Sequence, residues 1–307
     1  MKKTIFSLAA FVAAITACQV EKINENTAPA GEKYVIEASV ASTKTIYDPP
    51  YSVSWTSEDA LSVVPQYADG TYAGYEFKWT DGDSFVCENV SNPGEIEALN
   101  AIYPHDDFIK SIDSDGFENG YIYFGSRSDA AQTQNGTDDA SHIAAPLYGY
   151  ATVSAEGTTV VEMKHATTLF EVIVTNNAGK EISVANIKVT NSEDKNMIGQ
   201  FYINPQTGAL KEGQYVSPTA NLNVNNGTIA DNAKGNFYFT SAPFELSAGS
   251  TLTVTITTGE GESTIVKNIT EASAFKPGTV NHINVTVEEI ETDDVVLYDQ
   301  IYIIGYG

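Results

Sequence analysis

The chain has 307 residues, with 40 Asp plus Glu against 16 Lys plus Arg and a formal net charge of −24. Hydrophobic residues at 42% and aromatics at 10% supply enough apolar surface to bury sizeable cores, which excludes a disordered chain. Nucleic acid is excluded as a default partner, because phosphate recognition needs clustered cations and Arg127 is the one arginine among scattered lysines.

Met1-Lys2-Lys3 is a short positive segment, followed by a largely apolar run from Ile5 to Ala14. That run is too short to span a bilayer, which needs about 20 apolar residues, and reads as an export signal. It ends in Ile15-Thr16-Ala17-Cys18, which resembles a bacterial lipobox. The resemblance implies cleavage of residues 1–17 and acylation of Cys18, whose lipid would be the membrane attachment. Losing Lys2 and Lys3 leaves 14 cations against 40 acids, a mature charge of −26. Cys87 then has no intramolecular partner, and in the alternating run Ser84-Phe85-Val86-Cys87 it reads as a small buried hydrophobe.

Residues 18–33 are polar and rich in breakers, the composition of a tether. From Tyr34 onward, short runs with a two-residue period recur between turn residues, among them Leu61–Val64, Tyr75–Trp79, Ala98–Tyr103, Leu169–Val174, Phe237–Phe239, Leu252–Ile256 and Val280–Val287. No segment keeps apolar positions at helical spacing for three turns, so the pattern predicts an all-β fold of antiparallel sandwiches. The length suggests two domains. A long loop is expected over Ser126–Ala145, and a boundary near 155 divides an N-terminal β-sandwich, residues 34–155, from a C-terminal one, residues 156–287. Residues 288–294 hold five acids in seven positions and read as an exposed linker.

Beyond the linker, residues 295–307 alternate as a strand, with Leu297, Ile301 and Ile303 on one face and Tyr298, Tyr302 and Ile304 on the other. An apolar strand there must bury itself. It folds back as a last strand of the second domain, begins a further domain, or pairs with another molecule by strand addition.

Catalytic chemistry finds no foothold. His105, His142, His165 and His282 lack zinc-motif spacing, Ser192-Glu193-Asp194-Lys195 has a Ser-x-x-Lys pattern without partner motifs, and there is no nucleophile elbow or phosphate loop. The acidic turns Asp81-Gly82-Asp83 and Asp113-Ser114-Asp115-Gly116 read as solvated, with Phe117 where a calcium loop needs an oxygen ligand. No enzyme, metal or cofactor is therefore predicted. An alternative reading is a surface glycan-binding lipoprotein, with Trp55 and Trp79 as candidate ligand aromatics; core packing competes for the same two residues.

Several segments together resemble the fimbrillin family, lipoprotein-derived pilus subunits of Bacteroides-type bacteria. They are Val53-Ser54-Trp55-Thr56-Ser57-Glu58-Asp59-Ala60-Leu61, Ala101-Ile102-Tyr103-Pro104, Gln132-Thr133 with Ala145-Pro146-Leu147, Val161-Glu162-Met163-Lys164-His165, and Lys276-Pro277-Gly278-Thr279-Val280-Asn281-His282. The resemblance covers nearly the whole mature chain, in order. It implies two tandem transthyretin-like Greek-key β-sandwiches, delivery as an outer-membrane lipoprotein through palmitate on Cys18, and assembly with other pilus subunits into a homo- or hetero-polymeric fimbrium for cell adhesion. It also implies that a trypsin-like protease releases the first strand after a basic residue, for which Lys44 and Lys33 are candidates. Residues 295–307 would then serve as donor strand through Leu297, Tyr298, Ile301, Tyr302, Ile303 and Ile304. The family's usual arginine is absent from residues 19–60, so tip, anchor and accessory roles stand beside a stalk role.

Overall fold

The computed structural model describes residues 32–40, 55–91, 93–124, 131–143, 146–153, 157–288 and 296–299; Cys18, Lys44, Ile301, Tyr302, Ile303 and Ile304 lie outside them. Among the described residues the first strands are β1 (Glu32–Val40), β2 (Ala60–Tyr67), β3 (Tyr75–Asp81), β4 (Ser84–Val90), β5 (Ile96–Tyr103), β6 (Ile122–Phe124) and β7 (Gln132–Asn135). Next come β8 (Leu147–Thr152), β9 (Thr159–His165), β10 (Thr168–Asn176), β11 (Ile182–Asn191), β12 (Gly199–Ile203), β13 (Leu210–Glu212) and β14 (Thr219–Ile229). The last are β15 (Lys234–Ser241), β16 (Phe244–Leu246), β17 (Thr251–Thr258), β18 (Gly261–Asn268), β19 (Ser273–Phe275), β20 (Val280–Val287) and β21 (Val296–Asp299). The one helical element among them is a single 3-10 turn at Pro93–Glu95, so the all-β expectation holds.

The strands follow the two-residue period that the pleat demands. In β9, Thr159, Val161, Met163 and His165 are buried while Val160, Glu162 and Lys164 face out. In β10 the inward positions Phe170, Val172 and Val174 are fully buried.

Seven strands close into a barrel in the order β1-β4-β3-β2-β5-β8-β9. A sandwich half was expected here. Closure arises because β1 pairs antiparallel with β4 on one side and parallel with β9 on the other, leaving no open edge. Inside lie Ile36, Leu61, Val63, Phe77, Phe85, Leu99, Leu147, Val161 and Met163. At the corner where β8 turns away from β9, a Cβ on Gly149 would sit 2.7 Å from Val161 Cγ1 and 2.8 Å from the Glu162 carbonyl oxygen. Gly149→Ala should therefore cost about 1–3 kcal/mol by overpacking, read as a shifted urea midpoint.

The second half is a sandwich of two sheets. The three-stranded sheet β15-β10-β20 faces the six-stranded sheet β21-β18-β17-β11-β14-β7. Between them Phe170 stacks on Phe239 at 5.0 Å, and Phe244 stacks on Phe275 at 4.5 Å, among the Val, Ile and Leu of both inner faces.

The two halves interlock. The position 155 lies between β8 and β9, both barrel strands, whereas β6 pairs with β12 and β7 pairs in parallel with β14. A third apolar cluster joins Val64, Ile102, Ile109, Ile122 and Phe124 to Phe201, Ile203 and Ala242. Strand β7 lies where the sequence predicted only loop. Its inward residues are Gln132 and Gln134, so it carries no hydrophobic alternation to betray it.

Candidate strand-acceptor groove

Strand β1 is built to be a core strand. Ile36 and Ala38 are fully buried and Tyr34 and Val40 pack against the barrel core from partly buried positions, while Lys33, Val35 and Glu37 face outward. Ile36 lies opposite Phe85 of β4, and Ala38 lies opposite Val161 of β9. Tyr34 sets its ring edge against Phe77 at 6.3 Å. The Ala38 N–H donates to the Asp83 carbonyl at 2.7 Å, and its carbonyl accepts from the Trp55 indole at 2.9 Å.

The segment that follows β1, residues 41–54, lies outside the described residues and contains Lys44. Lys33 is inside them, paired with Glu88 at 3.0 Å with both side chains exposed. Cleavage after Lys33 would leave Tyr34–Val40 attached to the rest of the chain, whereas cleavage after Lys44 would cut β1 from it. The ion pair is screened by solvent, so Lys33→Ala should change barrel stability by less than about 1 kcal/mol in a denaturant titration.

Without β1, the facing edges of β4 and β9 would present a row of unpaired N–H and C=O groups over the sites vacated by Ile36 and Ala38. Each unmet buried polar group costs about 1–3 kcal/mol. Such a groove selects an extended, alternating apolar segment.

Residues 296–299 of the expected donor segment form β21, which adds in parallel to the edge strand β18. The register sets Leu297 opposite Ile265, Tyr298 opposite Val266, and the acid Asp299 opposite the buried Lys267.

The two tryptophans are both in the barrel. Trp55 precedes β2 outside any strand, and its ring meets Phe85 at 5.0 Å and Tyr103 at 5.4 Å, both edge-on. Trp79, on β3, donates its indole N–H to the Gly82 carbonyl at 2.8 Å across the turn into β4 and packs on the barrel core. Tyr103 donates its hydroxyl to Asp59 at 2.7 Å, and burial first, then that bond, raises its pKa, so it stays protonated. These indole and phenol groups thus brace the groove beside β1.

One constellation was not visible in the sequence because its members lie 43 and 45 residues apart. Ser62 Oγ is 2.9 Å from His105 Nδ1, and His105 Nε2 is 3.3 Å from Asp107 Oδ1. The order mimics a hydrolase triad, but Ser62 is fully buried and its hydroxyl accepts from the Asp106 N–H at 2.9 Å while lying 3.1 Å from the Asp106 carbonyl. A nucleophile needs an open approach for its electrophile, which this hydroxyl lacks. The trio pins the loop after β5 to β2.

Among the described residues no three His, Cys, Asp or Glu side chains converge on a metal-sized site. Asp113 instead accepts the N–H groups of Asp115 and Phe117 at 2.9 Å each, and the Phe117 bond chiefly holds its carboxyl below the usual range. Cys87 is a partly buried free thiol against the barrel core.

No protein-family model matches the sequence, and none of the curated proteins does. Solved structures do match. A candidate cell adhesion protein from Bacteroides ovatus superposes with a TM-score of 0.54 at 19% identity, covering 84% of this chain and 93% of that one. A candidate cell adhesion protein from Bacteroides uniformis gives 0.48 at 12% identity over 83% and 94%. A fimbrial assembly protein from Parabacteroides distasonis gives 0.39 at 13% identity over 82% and 90%. The neighbours are thus adhesion and fimbrial proteins of Bacteroidales, and the first of them shares this chain's fold.

Proposed function

We propose that this chain is a fimbrial subunit of the bacterial surface, carried to the outer membrane on a lipid at Cys18 and assembled by strand complementation. In this reading a protease frees β1 by cutting near Lys44, and residues 295–307 of a neighbouring copy or related subunit take its place. The observation that carries the reading is the seat of β1, a core strand that closes the barrel between β4 and β9 and is followed at once by the segment holding Lys44. The pairing of β21 supports it, since part of the donor segment already adopts a strand. The shared fold with an adhesion protein is in keeping with it.

A filament follows from the symmetry. The donor lies at one end of the sequence and the groove in the other half, so the contact is heterologous and repeats head to tail without closing. A net charge of −24 keeps free subunits apart until strand exchange overrides the repulsion.

Limited trypsin digestion of residues 19–307, followed by an unheated detergent gel, tests the reading. The expected result is a ladder of multimers that appears with cleavage near Lys44 and is absent when residues 295–307 are deleted. A monomer both before and after cleavage would overturn it.

A further inference from the structure

Strand β15 is the edge of its sheet, with β10 on one side. Its other side should carry a row of open backbone groups. Instead, side chains stand in for a strand. Gln132 donates through Nε2 to the Thr240 carbonyl at 2.9 Å and accepts the Thr240 N–H through Oε1 at 2.9 Å. Gln134 accepts the Tyr238 N–H at 2.8 Å and donates to the Asn236 carbonyl at 2.9 Å. His142 Nε2 is 2.9 Å from the Tyr238 carbonyl, so that nitrogen carries the proton. The Asp138 N–H adds a second bond to the Asn236 carbonyl at 2.9 Å, and Asp138 accepts from the Asn236 amide at 2.6 Å.

The match is too complete to be incidental. A carboxamide presents one donor and one acceptor, the same pair as a peptide group, and Gln132 and Gln134 aim theirs at alternate residues of β15 as a strand would. Their own backbones pair with β14, so the two side chains bridge from one sheet to the edge of the other. Gln134 is fully buried and Gln132 nearly so.

We infer that β15 is a latent strand-pairing edge held shut by Gln132, Gln134 and His142, and that its partner when opened is the β15 edge of a second copy. The strand it would present, Asn236-Phe237-Tyr238-Phe239-Thr240, is aromatic and free of proline, the composition of an association-prone edge. Antiparallel pairing centred on Tyr238 sets Asn236 against Thr240 in both directions, so the contact is self-complementary. It closes as a two-fold dimer, unlike a head-to-tail filament. The guard thereby keeps this edge out of assembly.

The test uses residues 19–307 with β1 uncut, so strand exchange at the barrel does not enter. In the double variant Gln132→Ala with Gln134→Ala, the Tyr238 and Thr240 amides should exchange with solvent roughly tenfold faster or more at low concentration. Light scattering should then show a dimer at high concentration in which both amides regain protection. Unchanged exchange would overturn the guard, and fast exchange in a protein that stays monomeric would overturn the partner. Should the double variant lose its far-ultraviolet signal, His142→Ala, which frees only the Tyr238 carbonyl, is read by the same dimer and exchange criteria.

Discussion

Ile36→Asp should destabilise the barrel by about 4–5 kcal/mol. Large-to-small replacement of a buried aliphatic residue costs about 2–5 kcal/mol through lost transfer energy and cavity. Aspartate adds the penalty of a carboxylate with no partner. Ile36 is fully buried at the centre of β1, opposite Phe85 on one side and Thr159 on the other, so no rotamer reaches water without dislodging the strand. Both tryptophans lie in the barrel, so indole fluorescence during urea unfolding reports this half. A midpoint loss worth less than about 1 kcal/mol would show that β1 adds little to the core, and the groove argument would fall with it.

Glu118→Gln should make the protein more stable at pH 8, by on the order of 4 kcal/mol, and flatten its stability above pH 6.5. Glu118 stands between the halves at 1% exposure. One carboxyl oxygen accepts the Ile203 N–H at 2.6 Å, and the other has no hydrogen-bond partner among the described residues. Burial, reinforced by Asp106 and Asp113 and opposed by the N–H bonds from Ile203 and Gly120, pushes its pKa up to about 8 from 4.5. Tyr202, from β12, is the other titrating group coupled to it. Folding therefore holds a proton that the unfolded chain releases. The associated stability is complete below pH 4.5 and is lost as the pH rises to about 8.

His165 works in the opposite direction. Burial lowers its pKa to about 4 from 6.5, so its contribution is present above pH 6.5 and lost as the pH falls toward 4. The two slopes oppose one another over the window they share, and above pH 6.5 Glu118 acts alone. There the parent should lose roughly 1.4 kcal/mol per pH unit up to about pH 8. Urea titrations at pH 6.5, 7.5 and 8.5 check this. A Glu118→Gln variant whose stability fell in parallel with the parent would place the pH dependence elsewhere.

The strand content was legible because most of these strands bury one face and leave the other wet. In β9 and β20 the alternation can be read directly from Thr159–His165 and Val280–Val287. Barrel closure was not legible, since β1 and β9 meet across more than 110 residues of sequence and pairing partners leave no local mark. Strand β7 was missed for a different reason. Gln132 and Gln134 look like loop residues, and only the structure shows their amides completing the edge of β15. At the candidate groove, the alternation of residues 34–40 and 295–304 was plain in the sequence. That the first of these closes a barrel, so that its loss opens a defined groove, was not.

The central claim is that β1 must leave the barrel for subunits to join. Glu37 of β1 and Ser84 of β4 are register partners, close enough in an antiparallel pair for a disulfide. A chain of residues 19–307 carrying Glu37→Cys, Ser84→Cys and Cys87→Ser fixes β1 in place when oxidised and frees it when reduced. After cleavage near Lys44, light scattering should show a monomer in the oxidised protein and a growing series of multimers on reduction. Equal assembly in both states would contradict the account.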